Sequence, residues 1–319
     1  MNQAINNFNH NPEYQKLSVC ITFHYAVERL QYLAIVCDKL VDIAPKVHLT
    51  IVTNTDKSDE IQAIKSVINV QKFEFNVLIP VGLGHPYLLA WSHLPVFKKQ
   101  FEDESFTHFL YLEDDIGITL ENINYWLNAR KLLKPFGFYP SFFRKELNAN
   151  DDNWYSTDVM TKMSFYDCPS VDIDENNSFI GIVYAYQGMY LLDRELLKEH
   201  LEGPSSNPDF EHNNIGLIRM HPTQIREKAA LCLTYVNIPD GFRSRNLLPF
   251  DKNIKQIRTC CMIHHLPNNY TNNPATPIGK IKVADIFIPK SIKTYFRKKI
   301  KVVFSSLLST LISLRTMNK

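Results

Sequence analysis

The sequence lacks the glycine-rich turns that the common nucleotide-binding folds place after their first strand. Its first apolar run, residues 17–22, continues into Phe23, His24, Tyr25 and Ala26, with no glycine to let a pyrophosphate approach the backbone. The single Gly-x-Gly, residues 82–84, has no third glycine, and no P-loop occurs. These absences disfavour a Rossmann dehydrogenase, a Rossmann methyltransferase and a P-loop nucleotidase.

Signals of secretion and of disulfide bonding are also lacking. The six cysteines form no CxxC pair and no regular framework, and Cys20, Cys37 and Cys232 lie inside apolar runs where a reduced cysteine acts as a small hydrophobe. Residues 1–16 are polar and rich in asparagine, without the apolar core of a secretory signal. We therefore expect residues 1–16 to be disordered and the protein to be cytoplasmic.

No apolar run is long enough to span a bilayer, which needs about 20 residues. The formal charge of +2 conceals a basic tail, because residues 280–319 carry ten Lys and Arg and one acid, which leaves about −7 for the rest. This balance disfavours a nucleic-acid partner. Basic residues flanking the short apolar stretch 302–314 predict amphipathic helices on the anionic inner face of the cytoplasmic membrane. The alternative is a carboxyl-terminal helix packed on the body.

The rest of the chain has an ordinary globular composition, with 45% hydrophobic and 21% charged residues among 319. Apolar, β-branched runs alternate with segments of helical spacing, which predicts an α/β protein with a mostly parallel sheet and ligands at its carboxyl edge. The predicted strands are residues 17–22, 47–53, 73–79 and 109–112, and the predicted helices are residues 27–43, 60–70 and 87–100.

Three acids, Glu113, Asp114 and Asp115, follow the fourth apolar run directly. Along an extended chain, alternate residues face the same side, so we expect Glu113 and Asp115 together and Asp114 opposite. Two carboxylates at the carboxyl end of a buried strand suit a hard cation and the phosphates or ribose beside it. The alternative is an acidic turn that merely ends a strand.

This order of strands and helices, with the turn 22–25, a strand ending in Val52, Thr53 and Asn54, and the acidic motif 113–115, resembles the nucleotide-sugar half of GT-A fold glycosyltransferases. The likeness is to family-2-like or exostosin-like bacterial members, although Glu rather than Asp occupies the first acidic position. It implies that Asp115 contacts a manganese or magnesium ion and that Glu113 lies near the ribose or the metal. The other donor-site residues that it implies are Phe23, His24, Tyr25, Asn54 and Asp114.

Residues of the second half are candidates for the acceptor site. Arg144 and Glu146 lie in an aromatic stretch, and aromatic rings beside a few charged groups suit a sugar. The alternative is a hydrophobic hairpin that covers the sheet. Trp154 is expected at the same rim, and the segment containing Tyr186 and Gly188 resembles the GT-A segment that leads into the acceptor site.

Further candidates come from later loops and from one late strand. The resemblance implies a general base at Glu211 or Asp209, with Glu227 as a rival; the alternative for the first two is a solvated loop that caps the next helix. It also implies that a late histidine, His265 or His264, returns to the metal; adjacent residues on a strand face opposite ways, so only one should reach it. Arg243, with Arg245 and Lys252, is expected to bind phosphate.

Together these expectations describe a GT-A-like α/β/α sandwich over residues 17–279, with a nucleotide-sugar half, 17–125, and an acceptor half, 126–279. The expected activity is metal-dependent transfer of a hexose or N-acetylhexosamine from a nucleotide sugar, UDP-linked in the first instance, to a glycan or lipid-linked acceptor. A role in polysaccharide biosynthesis follows from that acceptor. The alternatives are a membrane-associated carbohydrate-binding protein without catalysis and a nucleotidyltransferase.

Overall fold

The computed structural model describes residues 13–182, 186–210 and 225–288. Its strands are β1 (Lys16–Phe23), β2 (Lys46–Thr53), β3 (Glu74–Leu78), β4 (His108–Glu113), β5 (Ile116–Gly117), β6 (Tyr139–Pro140), β7 (Phe143–Leu147), β8 (Trp154–Ser156), β9 (Ser170–Asp172), β10 (Asn177–Ile180), β11 (Met189–Asp193), β12 (Asn246–Asp251), β13 (Gln256–Ile257), β14 (Met262–His265) and β15 (Ile281–Lys282). Its α-helices are α1 (Leu30–Lys39), α2 (Ser58–Ser66), α3 (His93–Phe101), α4 (Leu120–Leu133), α5 (Arg194–Glu202), α6 (Ile225–Leu231) and α7 (Asn269–Asn272).

The central sheet has the strand order β3-β2-β1-β4-β11. The first four strands run parallel, and β11 lies antiparallel against β4. Leu17, Val19, Ile21 and Leu110 have no exposed surface, as expected for strands covered on both faces. The predicted α/β class with a mostly parallel central sheet is therefore confirmed.

Two smaller sheets follow, and one of them reaches the carboxyl end of β4. This sheet has the order β15-β8-β7-β14-β5, and β5 begins one residue after Asp115. The other sheet has the order β13-β12-β10-β9, with β6 beside β12. Because β14 pairs with both β5 and β7, late and middle parts of the sequence are joined next to the acidic motif.

Local sequence signals account for several helix ends. Thr119 and Asn122 form a capping box at the start of α4, each side chain accepting from the backbone N–H of the other. Asp193 caps α5 by accepting from the N–H of Leu196 at 2.8 Å. The predicted helix 87–100 is divided into a 3₁₀ turn, Pro86–Trp91, and α3.

Both chain ends of the folded body extend further than the sequence predicts. Tyr14 belongs to the stretch expected to be disordered, yet its ring is buried and its hydroxyl donates to the carbonyl of Ile43 at 2.9 Å. Ile281 and Ile286 belong to the expected tail, yet both are buried. The predicted amphipathic helices fall mostly in residues 289–319, outside the described residues. Within the described ranges, no helix has the length and apolar character needed to cross a membrane.

Candidate functional site

An open cleft of about 1070 Å³ lies at the carboxyl edge of the central sheet. Strand order changes direction at β1 and β4, so the loops that follow these two strands diverge and leave a crevice between them. The cleft is lined from the first loop by His24 and Arg29 and from the second by Glu113, Asp114 and Asp115. The sequence prediction of a ligand site at this edge thus coincides with the large cavity.

The three acids do not alternate as an extended chain would. Strand β4 ends at Glu113, and Asp114 and Asp115 form a turn before β5. Asp114 and Asp115 consequently share one partner, Arg29, whose Nε and Nη2 donate to Asp114 at 2.7 Å and whose Nη2 also donates to Asp115 Oδ2 at 2.9 Å. The predicted placement of Asp114 opposite Asp115 is wrong, because the alternation stops where the strand stops.

Glu113 is oriented by two residues of the segment before β11. The hydroxyl of Tyr186 donates to Glu113 Oε1 at 2.7 Å. Gly188 has φ +65°, and a Cβ there would lie 2.9 Å from Glu113 Oε2. Burial and the nearby charge of Asp115 raise the pKa of Glu113 to about 7, against the hydrogen bond from Tyr186. Gly188, predicted to admit an acceptor, instead makes room for this carboxylate.

His265 is brought to the acids by the ladder of β5, β14 and β7. Ile116 is paired with His265, and the N–H of Leu266 donates to the carbonyl of Asp115 at 2.9 Å. His265 Nε2 lies 3.5 Å from Asp115 Oδ2, and its Nδ1 lies 2.5 Å from Glu146 Oε1. Among the two candidate histidines, the structure places His265 against the acids.

His264 faces the other way, as adjacent strand residues should. Its Nε2 lies 2.9 Å from Asn268 Oδ1, and its ring meets that of Trp154 edge to face at 5.0 Å. Trp154 also packs against the ammonium of Lys145 at 4.1 Å from the ring centroid. Of the described residues, neither His264 nor Trp154 belongs to the cleft lining. The acceptor contact at Trp154 stays a prediction, since its ring packs on His264 outside the described lining of this cleft.

The space between Asp115 and Glu146 favours a positive charge. Burial by itself lowers the pKa of His265, but its hydrogen bonds with Asp115 and Glu146 outweigh that effect and raise the pKa to about 9. Burial likewise opposes ionisation of Asp115, yet His265 and Arg29 bring its pKa down to about 2. An ionised carboxylate therefore faces an imidazole that a second carboxylate holds in place.

Two of these groups fit a divalent cation. Within the parts of the chain that the structure describes, no three His, Cys, Asp or Glu side chains are grouped to hold a metal. Asp115 Oδ1, however, is buried with no hydrogen-bond partner among the described residues, and the other oxygen of the same carboxylate, Oδ2, lies 3.5 Å from His265 Nε2. Magnesium-type sites often use one or two protein ligands together with substrate phosphates and water. A histidine braced by a carboxylate through its other nitrogen is typical of metal ligands.

Glu146 supports His265 from inside the protein and does not itself face the cleft. It has no exposed surface, and its Oε2 accepts from the N–H of Thr271 at 2.6 Å while Oε1 meets His265. Its predicted contact with an acceptor sugar is therefore wrong, because both of its oxygens are used inside the protein. Arg144 does line the cleft; its Nε and Nη2 both donate to Oδ1 of buried Asp158, and its guanidinium lies 4.6 Å from the ring centroid of Tyr186.

The predicted donor residues divide between the cleft and its surroundings. His24 lines the cleft, whereas Phe23 is fully buried in the core. Asn54 accepts from the N–H of Tyr25 at 2.7 Å and so fixes the loop after β1. Neither Tyr25 nor Asn54 is part of the described cleft lining, and their contact with a donor stays a prediction.

The cationic lining of the cleft differs from the sequence prediction. Arg243 is exposed and absent from the described lining, Arg245 is paired with Glu199 at 2.5 Å, and Lys252 with Asp172 at 3.0 Å. The phosphate role expected of these three is therefore wrong for this cleft. Arg29 and Arg226 occupy it instead. Arg29 was detectable as an arginine in the loop after the first strand, whereas no sequence signal marked Arg226.

The three candidate general bases differ in their position relative to the cleft. Asp209 is exposed and does not belong to the described lining, and its role as a general base stays a prediction. Glu211 lies outside the described residues. Glu227, in α6, lines the cleft; its Oε1 lies 3.0 Å from Arg226, and its Oε2 is buried without a hydrogen-bond partner among the described residues.

No family model matches this sequence, and no curated protein matches it. Solved structures of S. aureus TarS are similar over 58% of this chain. The crystal structure of TarS has 15% identity and a TM-score of 0.36, with 30% of that chain covered. TarS 1–349 has 15% identity and a TM-score of 0.34, with 49% covered, and TarS 1–349 in complex with UDP has 16% identity and a TM-score of 0.35, with 48% covered. The chain thus spans less than half of these proteins, and likenesses at such TM-scores establish neither fold nor activity.

Proposed function

We propose that this protein is a metal-assisted glycosyltransferase that moves a sugar from a nucleoside diphosphate donor to a glycan or lipid-linked acceptor. The observation that carries the proposal is Asp115, which lines the large cleft at the carboxyl end of β4: its buried Oδ1 has no hydrogen-bond partner among the described residues, and its Oδ2 lies 3.5 Å from His265 Nε2. Carboxylate, imidazole and arginines together suit a divalent cation and a diphosphate. Neutral ligands would not need this combination.

Asp115 and His265 would hold a manganese or magnesium ion, which when bound neutralises negative charge on a departing diphosphate. The protein's own part is electrostatic and positional. Arg29, Arg144 and Arg226 line the cleft and place guanidinium groups where a diphosphate would lie. Glu146 fixes the ring orientation of His265 so that Nε2 faces Asp115.

The direct test is isothermal titration of UDP and GDP into the protein with and without manganese. We expect binding of at least one nucleotide to require manganese, and Asp115→Ala to weaken it by at least about tenfold, as expected when a charged cation ligand is lost. Asp209→Ala is the matched control, since Asp209 is an exposed acid away from the cleft. Binding that persists unchanged in Asp115→Ala and in chelator would contradict the proposal and leave the carbohydrate-binding alternative.

An acceptor hydroxyl loses a proton during transfer, and Glu227 is the described carboxylate placed to accept it. It lines the cleft from α6, and its Oε2 has no hydrogen-bond partner among the described residues. We expect Glu227→Gln to reduce sugar transfer by roughly 10²–10⁴-fold, the usual contribution of a general base. UDP binding with manganese should change little. Transfer at the wild-type rate in Glu227→Gln would remove this residue from the reaction.

A further inference from the structure

Arg29 occupies a position that governs which carboxylate oxygens are free for a cation. It ends the 3₁₀ turn Val27–Arg29 between β1 and α1, and it reaches across the crevice to the turn after β4. Three of the four oxygens of Asp114 and Asp115 accept from its guanidinium, and the fourth, Asp115 Oδ1, has no hydrogen-bond partner among the described residues. The ion pairs of Arg29 with Asp114 and Asp115 are not surface pairs, since both acids are more than nine-tenths buried.

The charges of this group set how strongly it attracts metal. Asp114, Asp115 and Arg29 together carry one net negative charge, because the fork of Arg29 offsets one of the two carboxylates. A single carboxylate oxygen with an imidazole is a poor site for a free divalent cation, which usually takes several oxygen ligands. The oxygens of a diphosphate would supply both the missing ligands and the missing negative charge.

Arg29 is also open to the cleft. Its side chain is 34% exposed, whereas the carboxylates that it contacts are 7% and 9% exposed. Nε and Nη2 are used by the acids, and among the described residues no hydrogen bond to Nη1 is seen. The N–H groups of Nη1 thus remain for an anion in the cleft, so one guanidinium can touch the acid turn and a phosphate together.

We propose that Arg29 confines the cation to Asp115 Oδ1 and His265 and thereby makes cation binding depend on the diphosphate. Arg29 is a positioning residue: it withholds Asp114 from the metal, keeps Asp115 oriented, and favours joint loading of cation and nucleotide over loading of the cation alone. This inference rests on the proposed function and adds that the cation binds together with the nucleotide and not before it.

The test is titration of manganese, followed by the electron paramagnetic resonance signal of the free ion, with and without saturating UDP. In the wild-type protein we expect UDP to tighten manganese binding by at least about tenfold. In Arg29→Gln, the affinity for manganese without nucleotide should rise about tenfold, the effect of removing one nearby unit charge at a partly solvated site. The enhancement by UDP should shrink correspondingly.

Two further variants separate this effect from general changes in charge or folding. Arg243→Gln removes an exposed arginine outside the described cleft lining, so manganese affinity without nucleotide should stay within about threefold of wild type because exposed charges are screened. Arg29→Lys keeps the charge but loses the planar fork, and manganese affinity should lie between the wild type and Arg29→Gln. Near-ultraviolet circular dichroism and thermal unfolding identify any variant that fails to fold, in which case Arg29→Lys alone decides.

The outcomes distinguish this inference from the proposed function. If the wild type binds UDP with manganese but neither Arg29 variant binds free manganese more tightly, the inference is overturned and the function stands. Tight manganese binding by the wild type without nucleotide also overturns it. If the wild type binds no manganese even with UDP, the proposed function fails, and the role of Arg29 fails with it.

Discussion

Gly188 shows how one residue without a side chain can position an acid. Its φ of +65° lies in the left-handed region, and the space that a Cβ would need is taken by Glu113 Oε2 at 2.9 Å. Gly188→Ala therefore meets two costs, the backbone conformation at about 1–2 kcal/mol and crowding against a buried carboxylate at about 1–3 kcal/mol. We expect urea denaturation to show both losses and UDP binding with manganese to weaken.

Gly82→Ala is the matched control for that substitution. Gly82 has φ +71°, but nothing lies within 4 Å of the Cβ position, so only the backbone cost applies. The free energy of unfolding should therefore fall less than in Gly188→Ala, and UDP binding should not change. Equal losses in the two variants would mean that Glu113 moves aside without cost.

At the residue scale, the sequence identified the acids but not their contacts. Glu113 and Asp115 lie at the cleft, since acids after a buried strand are a local signal, and His265, which the resemblance implied, lies there too. The burial of Glu146 was not predictable, because it depends on the parallel pairing of β7 with β14 across more than a hundred residues. Asp114 and Asp115 share Arg29 because β4 ends at Glu113, and strand ends are weakly marked in sequence.

Among the elements, α3 carries a buried histidine that links the sheet to the helix layer. His93 has no exposed surface; its Nδ1 donates to the carbonyl of Ala90 at 2.6 Å, and its Nε2 accepts from the hydroxyl of Tyr190. Its ring lies 4.3 Å from that of Tyr111, whose hydroxyl meets Thr22 under the cleft. Burial, together with the smaller effect of nearby His200, lowers the pKa of His93 to about 3.

The buried imidazole predicts how stability depends on pH. Between the ordinary histidine pKa of about 6.5 and the folded value of about 3, the unfolded chain binds the extra proton. The free energy of unfolding should therefore decrease as the pH is lowered through this window, by up to about 1.4 kcal/mol per pH unit for one histidine. Buried His108, whose pKa burial lowers to about 4, adds a second contribution of the same sign.

Chemical denaturation at several pH values between 6.5 and 4 checks this linkage. His93→Gln is expected to be less stable at pH 7, because Ala90 and Tyr190 lose a fitted partner, but its stability should fall less steeply as the pH is lowered. His85→Gln, at an exposed position on the loop before α3, serves as the control. A slope in His93→Gln equal to that of wild type would show that His93 is not charged on unfolding.

Elements with strong local signals agree with the sequence, and those made by long-range pairing do not. Strands β1, β2 and β4 are predicted directly from their apolar runs, since they are buried on both faces, whereas the edge strand β3 is only partly buried. Short strands such as β5 and β14 have no such signal, because two to four residues are too few to show a period. These short strands nevertheless join Asp115 to His265, so the part of the fold that builds the site was the part least open to prediction.

On the scale of the whole molecule, the cleft forms where three distant segments meet: the loop after β1, the turn after β4 and the end of β14. The sequence predicted that the first two meet, because parallel strands end at one edge. It also suggested the third through a late histidine, but not the ladder that carries it. Arg226 and Glu227 enter the cleft from α6, whose preceding residues, 211–224, lie outside the described chain.

The central claim is that Asp115 and His265 hold one cation together with a diphosphate. Crystals grown with manganese and UDP, with data collected at the manganese absorption edge, test it most directly. The account predicts one anomalous peak about 2.0–2.6 Å from Asp115 Oδ1 and from His265 Nε2, with diphosphate oxygens completing the coordination. A peak elsewhere, or UDP bound in the cleft with no anomalous peak beside Asp115, would contradict it.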